Sequence, residues 1–177
     1  MTVFVTSDIH YGHRNILKFC RRPFETLNEM EISLINNWNK VVGVTDTVYI
    51  LGDVSFASTA DTQAFLMRLN GFKHFVWGNH DRGRENKILE VPGCVDGTNC
   101  LRYNHNGSTI IMTHYPFESF SEDFHFHGHT HGNSVPKYRR MDCGMDAHDF
   151  YAPIPLDEMI KRTIDRDTKL GLQETNY

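Results

Sequence analysis

The 177-residue chain has no run of about 18 apolar residues, so no segment is expected to span a membrane. Its opening stretch, MTVFVTSDIH, has neither a basic region nor a long apolar one, and no signal peptide is expected. Basic residues are in deficit: 18 Lys and Arg stand against 22 Asp and Glu, a formal charge of -4. That balance argues against a dedicated nucleic-acid surface, which needs a cationic face. Cysteine is sparse. Cys20, Cys94, Cys100 and Cys143 show no CxxC spacing, so they are read as reduced thiols of a cytoplasmic protein rather than a disulfide frame or a Cys-rich zinc site. Repeats, low-complexity segments and linkers are absent, and one domain over 1–177 is expected.

What the chain does contain is a succession of short apolar runs bounded by turn residues. Residues 3–8 (VFVTSD), 47–51 (TVYIL) and 74–78 (HFVWG) read as buried strands. Between them, Thr26-Leu27-Asn28-Glu29 opens an amphipathic helix with apolar residues at 27, 30, 34, 35, 38 and 42. Ser58 opens a second helix, stopped by Asn70-Gly71. This β-α-β-α-β pattern implies an α/β fold with a sheet covered by helices. Beyond it, 101–114 reads as a hairpin turning at Asn106-Gly107, 124–128 (FHFHG) as another strand, and YRRMDCGMDA as one more. Pro155 begins a last short helix with Leu156, Met159, Ile160 and Thr163 on one face, and the tail after about 165 is expected to fray.

Chemically able residues gather at the strand ends. Asp8 and His10 follow the first strand, Asp53 the second, and Asn79, His80 and Asp81 the third. His114 ends the hairpin, and His129 and His131 end the strand after it. In open α/β sheets ligands bind at that edge. Asp8 and His10 are two residues apart, so on an extended segment both would leave one face about 7 Å apart, and His129 and His131 repeat the spacing. Imidazole with carboxylate suits Zn, Mn, Fe, Co or Ni better than Mg or Ca. Four histidines in FHFHGHTHG alternate with Phe and Gly inside the chain, unlike a terminal tag. Of these, His125 and His127 lie on the strand itself and are read as core imidazoles, with His127 as a partner behind the ligands.

The ordered series Asp8-x-His10, Gly52-Asp53, Gly78-Asn79-His80-Asp81, His114 and Gly128-His129-Thr130-His131 resembles the calcineurin-like metallophosphoesterase superfamily. The flanks SDIHYGHRNILKFCRRPF and DAHDFYAPIPLDEM are similar to its short bacterial and phage members. The resemblance implies a sandwich of two β-sheets flanked by helices, with two divalent metals, Mn favoured, at the strand ends. It implies Asp8, His10 and His131 on one metal, Asn79, His114 and His129 on the other, Asp53 between them, and His80 as the catalytic acid. Such a pair activates a water and clamps a phosphoryl group.

The same resemblance implies hydrolysis of phosphoric esters. Protein phosphatases of this superfamily carry GDxVDRG; here the chain reads Gly52-Asp53-Val54-Ser55-Phe56-Ala57, without the second Asp, so Asp81 or a water is left to orient His80. With little chain outside the core, an open cleft for a nucleotide-like or other small phosphodiester is expected. A phosphomonoesterase and a metal-binding domain without turnover are the alternatives. Asn79, His13, Asn15 and Arg22 are candidate substrate contacts, Arg22 as part of a cationic cluster with Arg14, Lys18 and Arg21. Tyr115 and the Lys137–Arg140 run are weaker ones. A metallo-β-lactamase site is excluded, because Gly132, Asn133 and Ser134 follow His131 where Asp and His would be needed.

Overall fold

Alternation along the strands decides which side chains meet. The computed structural model describes residues 1–148 and 151–173. Asp149 and Phe150 and the last four positions of the expected tail lie outside the described residues. In chain order the elements are β1 (Val3–Thr6), α1 (Ile16–Phe19), α2 (Leu27–Val41), β2 (Thr47–Ile50), α3 (Thr59–Met67), β3 (Phe72–Val76), α4 (Glu85–Leu89) and β4 (Cys94–Thr98). They continue with β5 (Cys100–His105), β6 (Ser108–Thr113), β7 (Phe124–His127), β8 (Arg140–Asp142), β9 (Ile154–Pro155) and α5 (Leu156–Leu170).

Two mixed sheets result, ordered β4-β3-β2-β1-β9 and β5-β6-β7-β8. The first is parallel except for β9; in the second only the β5–β6 hairpin is antiparallel. Phe4, Val48, Ile50 and Phe75 face α2 and α3, where Met30, Leu34, Trp38, Phe65 and Leu66 close a core. Val5, Tyr49, Leu51 and Val76 point the other way, against Ile110, Met112, Phe124 and Phe126 of the second sheet and Leu156 and Met159 of α5. Each fully buried side chain of this size contributes roughly 1.5–3 kcal/mol. The layered α/β sandwich is the expected one.

Local chemistry sets the boundaries. Thr26 accepts from the Glu29 amide at 3.1 Å, while the Glu29 carboxylate turns to the Glu25 amide at 2.8 Å rather than to Thr26. Ser58 caps α3 through the Asp61 amide. Asn106 and Gly107, at φ 49° and 86°, make the hairpin turn.

The last helix departs from the reading of a short element with a frayed end. It continues to Leu170, and Gly171 at φ 64° caps it in the left-handed conformation. What holds its second half is polar: the buried Asp167 carboxylate accepts from the Arg139 amide at 2.7 Å. Arg166 donates to the Lys137 carbonyl at 2.7 Å and to the Arg140 carbonyl at 2.6 Å. A polar sequence looks solvated until the partner loop is known. The short β4 and β9 and the five-residue α4 were likewise not anticipated.

Candidate metal centre

The carboxyl ends of β1, β2, β3, β6 and β7 all open onto one edge of the sandwich, and the loops leaving them carry the predicted residues. Asp8, His10 and His131 bring one donor atom each within 4.8 Å of one another, and so do Asp53, His114 and His129. Asp53 stands between the groups: its Oδ2 lies 3.7 Å from His10 Nε2 and its Oδ1 3.5 Å from His114 Nε2. His131 Nε2 and His10 Nε2 are 3.9 Å and 3.8 Å from Asp8 Oδ1. The Asn79 amide oxygen lies 3.1 Å from His114 Nε2.

The residues are not placed by strand alternation, as the i, i+2 spacing suggested. β1 ends at Thr6, and Asp8 and His10 sit in left-handed turns at φ 53° and 54°. Asp53, His129 and His131 share that conformation, at 55°, 69° and 48°. Non-glycine residues avoid it, at about 1–2 kcal/mol each, and such strain collects at functional sites. Surrounding hydrogen bonds hold it: Asp8 and His10 amides donate to the Gly52 and Asp53 carbonyls at 3.0 and 3.1 Å, and the His129 amide to Asp8 Oδ2 at 2.9 Å. Close approach requires glycine at two places. A Cβ on Gly78 would stand 2.3 Å from Asp53 Oδ1, and one on Gly128 1.9 Å from Ser7 Oγ.

Asp8 Oδ1 and both His10 nitrogens are buried and, among the described residues, have no hydrogen-bond partner. The His114 Nδ1–H donates to the Leu51 carbonyl at 2.8 Å, leaving its Nε2 lone pair facing Asn79 and Asp53 oxygens. The Tyr115 hydroxyl donates to that Asn79 oxygen at 3.2 Å. Burial pushes the His10 imidazole down to about 3 and raises the Asp8 carboxyl. Imidazole nitrogens and carboxylate oxygens 3.5–3.9 Å apart, too far to bond one another, fit divalent cations with metal–ligand bonds of about 2.0–2.2 Å.

Behind the donors stand residues that orient them. The Asp146 carboxylate bonds His131 Nδ1 at 2.7 Å and takes a two-pronged contact from Arg22, Nε at 2.7 Å and Nη2 at 2.9 Å. Burial would raise the Asp146 carboxyl, but His131 and Arg22 hold it down at about 2. Burial disfavours the charged His131, yet the Asp146 bond and the Asp8 charge leave its pKa raised. Asp142 accepts from the Gly132 and Gly144 amides at 2.8 and 2.7 Å, shaping the turn that bears His131. Neither acid was singled out in MDCGMDA; their four-residue spacing around Gly144 was the available signal.

Several expectations change. Arg22 is not a substrate contact: it is buried, and besides Asp146 it donates to the Asp8 and Ile9 carbonyls at 2.8 Å. The cationic cluster thus loses its innermost member. Arg14 and Lys18 line a separate cavity of about 500 Å³ that none of the metal-site residues borders. Asn15 is exposed at the start of α1 and makes no side-chain cap bond there. Asp81 does not orient His80. Its oxygens accept from the Gly78, Asp53 and Val54 amides at 2.9–3.0 Å, which fixes the Asp53 turn instead. Arg140, from the weaker candidates, is buried on the Phe117 and Val135 carbonyls. All four cysteines are free.

His13, by contrast, is brought in, 5.3 Å from His10 between ring centres. His80, its side chain 42% exposed, stands 3.9 Å from Asp53 Oδ2. Phe56, passed over in the sequence, stacks on His13 at 3.9 Å and meets the His80 ring at 4.3 Å. His127 is fully buried, its Nδ1 on the Gly128 carbonyl at 2.8 Å, directly before the His129 turn.

Fold and site together define an α/β sandwich with a His/Asp cluster able to hold metal on one strand edge. No protein-family model matches the chain. The uncharacterized protein MJ1445 of Methanocaldococcus jannaschii is 33% identical over 172 residues, covering 90% of this chain and 89% of its own length. The Gene 66 protein of Mycobacterium phage L5 is 27% identical over 177 residues, covering 80% and 85%. Among solved structures, the protein of unknown function AQ665 from Aquifex aeolicus aligns with a TM-score of 0.73 at 25% identity, over 91% of this chain and 98% of that one. The chain belongs to the family of MJ1445, and the ordered blocks from Asp8 to His131, by which its sequence resembles the calcineurin-like metallophosphoesterase superfamily, meet on one edge of the fold. Among the described residues, no helix is long and apolar enough to cross a membrane.

Proposed function

We propose that the protein is a cytoplasmic hydrolase of phosphoric esters that uses two divalent cations, Mn foremost, and prefers small phosphodiesters to monoesters. The observation that carries the reading is Asp53, whose two oxygens face His10 on one side and His114 on the other. Asp8, His10 and His131 would hold one cation and Asn79, His114 and His129 the other, with Asp53 shared. Bound there, the cations supply Lewis acidity toward a phosphoryl group and a more acidic water.

The chain's own residues do the rest. As the phosphorus–oxygen bond to the leaving group breaks, that oxygen takes its proton from the exposed His80 imidazole. The Asn79 amide, steadied by the Tyr115 hydroxyl, keeps its N–H groups for a phosphoryl oxygen. His129 and His80 are both exposed, so the mouth is open enough for a second ester arm.

With Mn, kcat/KM for bis(nitrophenyl) phosphate is expected to exceed that for nitrophenyl phosphate, and a clear preference for the monoester would make the protein a phosphomonoesterase. Asp53→Asn should lose or loosen both metals. Elemental analysis finding two full equivalents in Asp53→Asn, with activity intact, would remove the shared-ligand assignment.

A further inference from the structure

Beside the metal centre lies a cavity of about 610 Å³ whose wall includes Gly78 and His114. It therefore opens directly onto the donor edge, and its volume is in the range of small-molecule sites. Three aromatic side chains line it: Trp77, Tyr115 and Phe117. Tyr115 and Phe117 are 44% and 37% exposed, a concentration of apolar ring surface in water that usually marks a binding site.

The rings are held rather than loose. Trp77 stacks on Phe75 at 5.1 Å and 7°. Tyr115 is tied through its hydroxyl to Asn79, and the Phe117 ring packs on that of the buried His125 at 5.2 Å between centres. The polar wall is different. Arg82, Glu85 and Asn99 also border the cavity, and among the described residues none of their side chains has a hydrogen-bond or ion-pair partner. A fixed aromatic surface beside an idle guanidinium, carboxylate and amide suits a flat ring with a donor and acceptor edge, carried on a hydroxylated sugar.

We infer that this cavity binds a nucleoside arm of the phosphoester, its base against the Trp77, Tyr115 and Phe117 rings and its polar edges on Arg82, Glu85 and Asn99. The inference rests on the phosphoesterase reading of the adjoining site and adds to it the substrate class. One cation and one anion on the same cavity wall leave it with no net charge from these two groups, so the cavity selects hydrogen-bonding pattern and flatness rather than a second phosphate. The preference belongs here and not to the Arg14/Lys18 surface.

Two measurements test it. The chain has two tryptophans, Trp38 buried and Trp77 on the cavity. In chelator, thymidine 5′-monophosphate should quench fluorescence saturably, and inorganic phosphate should not. The quench should vanish in Trp77→Phe, and Asn99→Ala should weaken its midpoint about fivefold or more. With Mn, kcat/KM for thymidine 5′-(nitrophenyl phosphate) should exceed that for methyl nitrophenyl phosphate by about tenfold, as one stacked base allows. Phe117→Ala should bring that ratio toward one. Hydrolysis of both esters at equal efficiency by the unaltered protein would overturn the nucleoside arm and leave the phosphoesterase reading standing. A phenyl ester served as well as the thymidine ester would overturn it in favour of any flat ring. Hydrolysis of neither ester with any metal would overturn the phosphoesterase reading, and fluorescence would then decide the cavity alone.

Discussion

Phe56 stands at the place where the GDxVDRG branch carries its second Asp, and its ring lies 4.3 Å from that of His80. Among the described residues no carboxylate comes within hydrogen-bonding distance of the His80 ring; Asp53 Oδ2 lies 3.9 Å from its Nε2, and Asp81 is occupied by three amides. Orientation of His80 thus falls to aromatic packing, with Phe56 held in turn by His13. His80→Ala is expected to retain its metals and lose roughly 10²–10⁴ in turnover of esters with poor leaving groups. The deficit should shrink for nitrophenyl esters, whose oxygen departs without a proton. Phe56→Ala should give a smaller loss with the same leaving-group dependence, and Phe56→Tyr should restore it. A Phe56→Ala deficit equal for good and poor leaving groups would reduce Phe56 to plain packing.

At the scale of one element, β7 shows what burial does to a histidine-rich strand. Phe124, His125, Phe126 and His127 are all buried. Burial pushes the His125 imidazole from 6.5 to about 3, and among the described residues its hydrogen-bond partner is the Thr113 hydroxyl at 2.8 Å. The unfolded chain protonates this residue below about 6.5 while the folded chain does not. Folding stability should therefore fall as pH drops from 6.5 toward 3, by up to about 1.4 kcal/mol per pH unit from this residue, and show no such term above 6.5. Denaturant unfolding of metal-free protein between pH 7 and 4 should show a shallower slope for His125→Phe. Identical slopes would mean that a charged His125 finds an acceptor.

The same strand shows where sequence reading succeeds. β1, β2 and β7 are legible as short runs bounded by turn residues and buried at nearly every position, and the β5–β6 hairpin is legible from its Asn106-Gly107 turn, since β5 itself has no buried residue. β4 was not legible: Cys94-Val95-Asp96-Gly97-Thr98 has one buried residue and pairs only with β3 at the sheet edge. The donor series was legible as an order of motifs. The left-handed turns that aim it were not, since only the hydrogen bonds of neighbouring loops stabilise them.

Across the whole molecule, Arg21 and Arg22 are indistinguishable in sequence and opposite in fate. Arg21 is exposed, whereas Arg22 spans 124 positions to reach Asp146 and closes the gap between the first sheet's loops and the segment after β8. No periodicity announces such a contact, which exists only once both sheets are packed. The pair is buried, with 0% and 3% side-chain exposure, and breaking it leaves Asp146 charged beside His131 and strips donors from the Asp8 and Ile9 carbonyls. Arg22→Met should lower folding stability by about 3–5 kcal/mol, the usual effect of orphaning a buried charge. Asp146→Asn removes the charge while keeping a polar group against His131, so it should unfold at higher denaturant than Arg22→Met yet bind metal about 10–100-fold more weakly. Denaturant titration and metal-buffer titration read the two effects separately. Stability of Arg22→Met within about 1 kcal/mol of the unaltered chain, a typical change for a surface site, would show that the two halves of the donor edge are joined by something other than this ion pair.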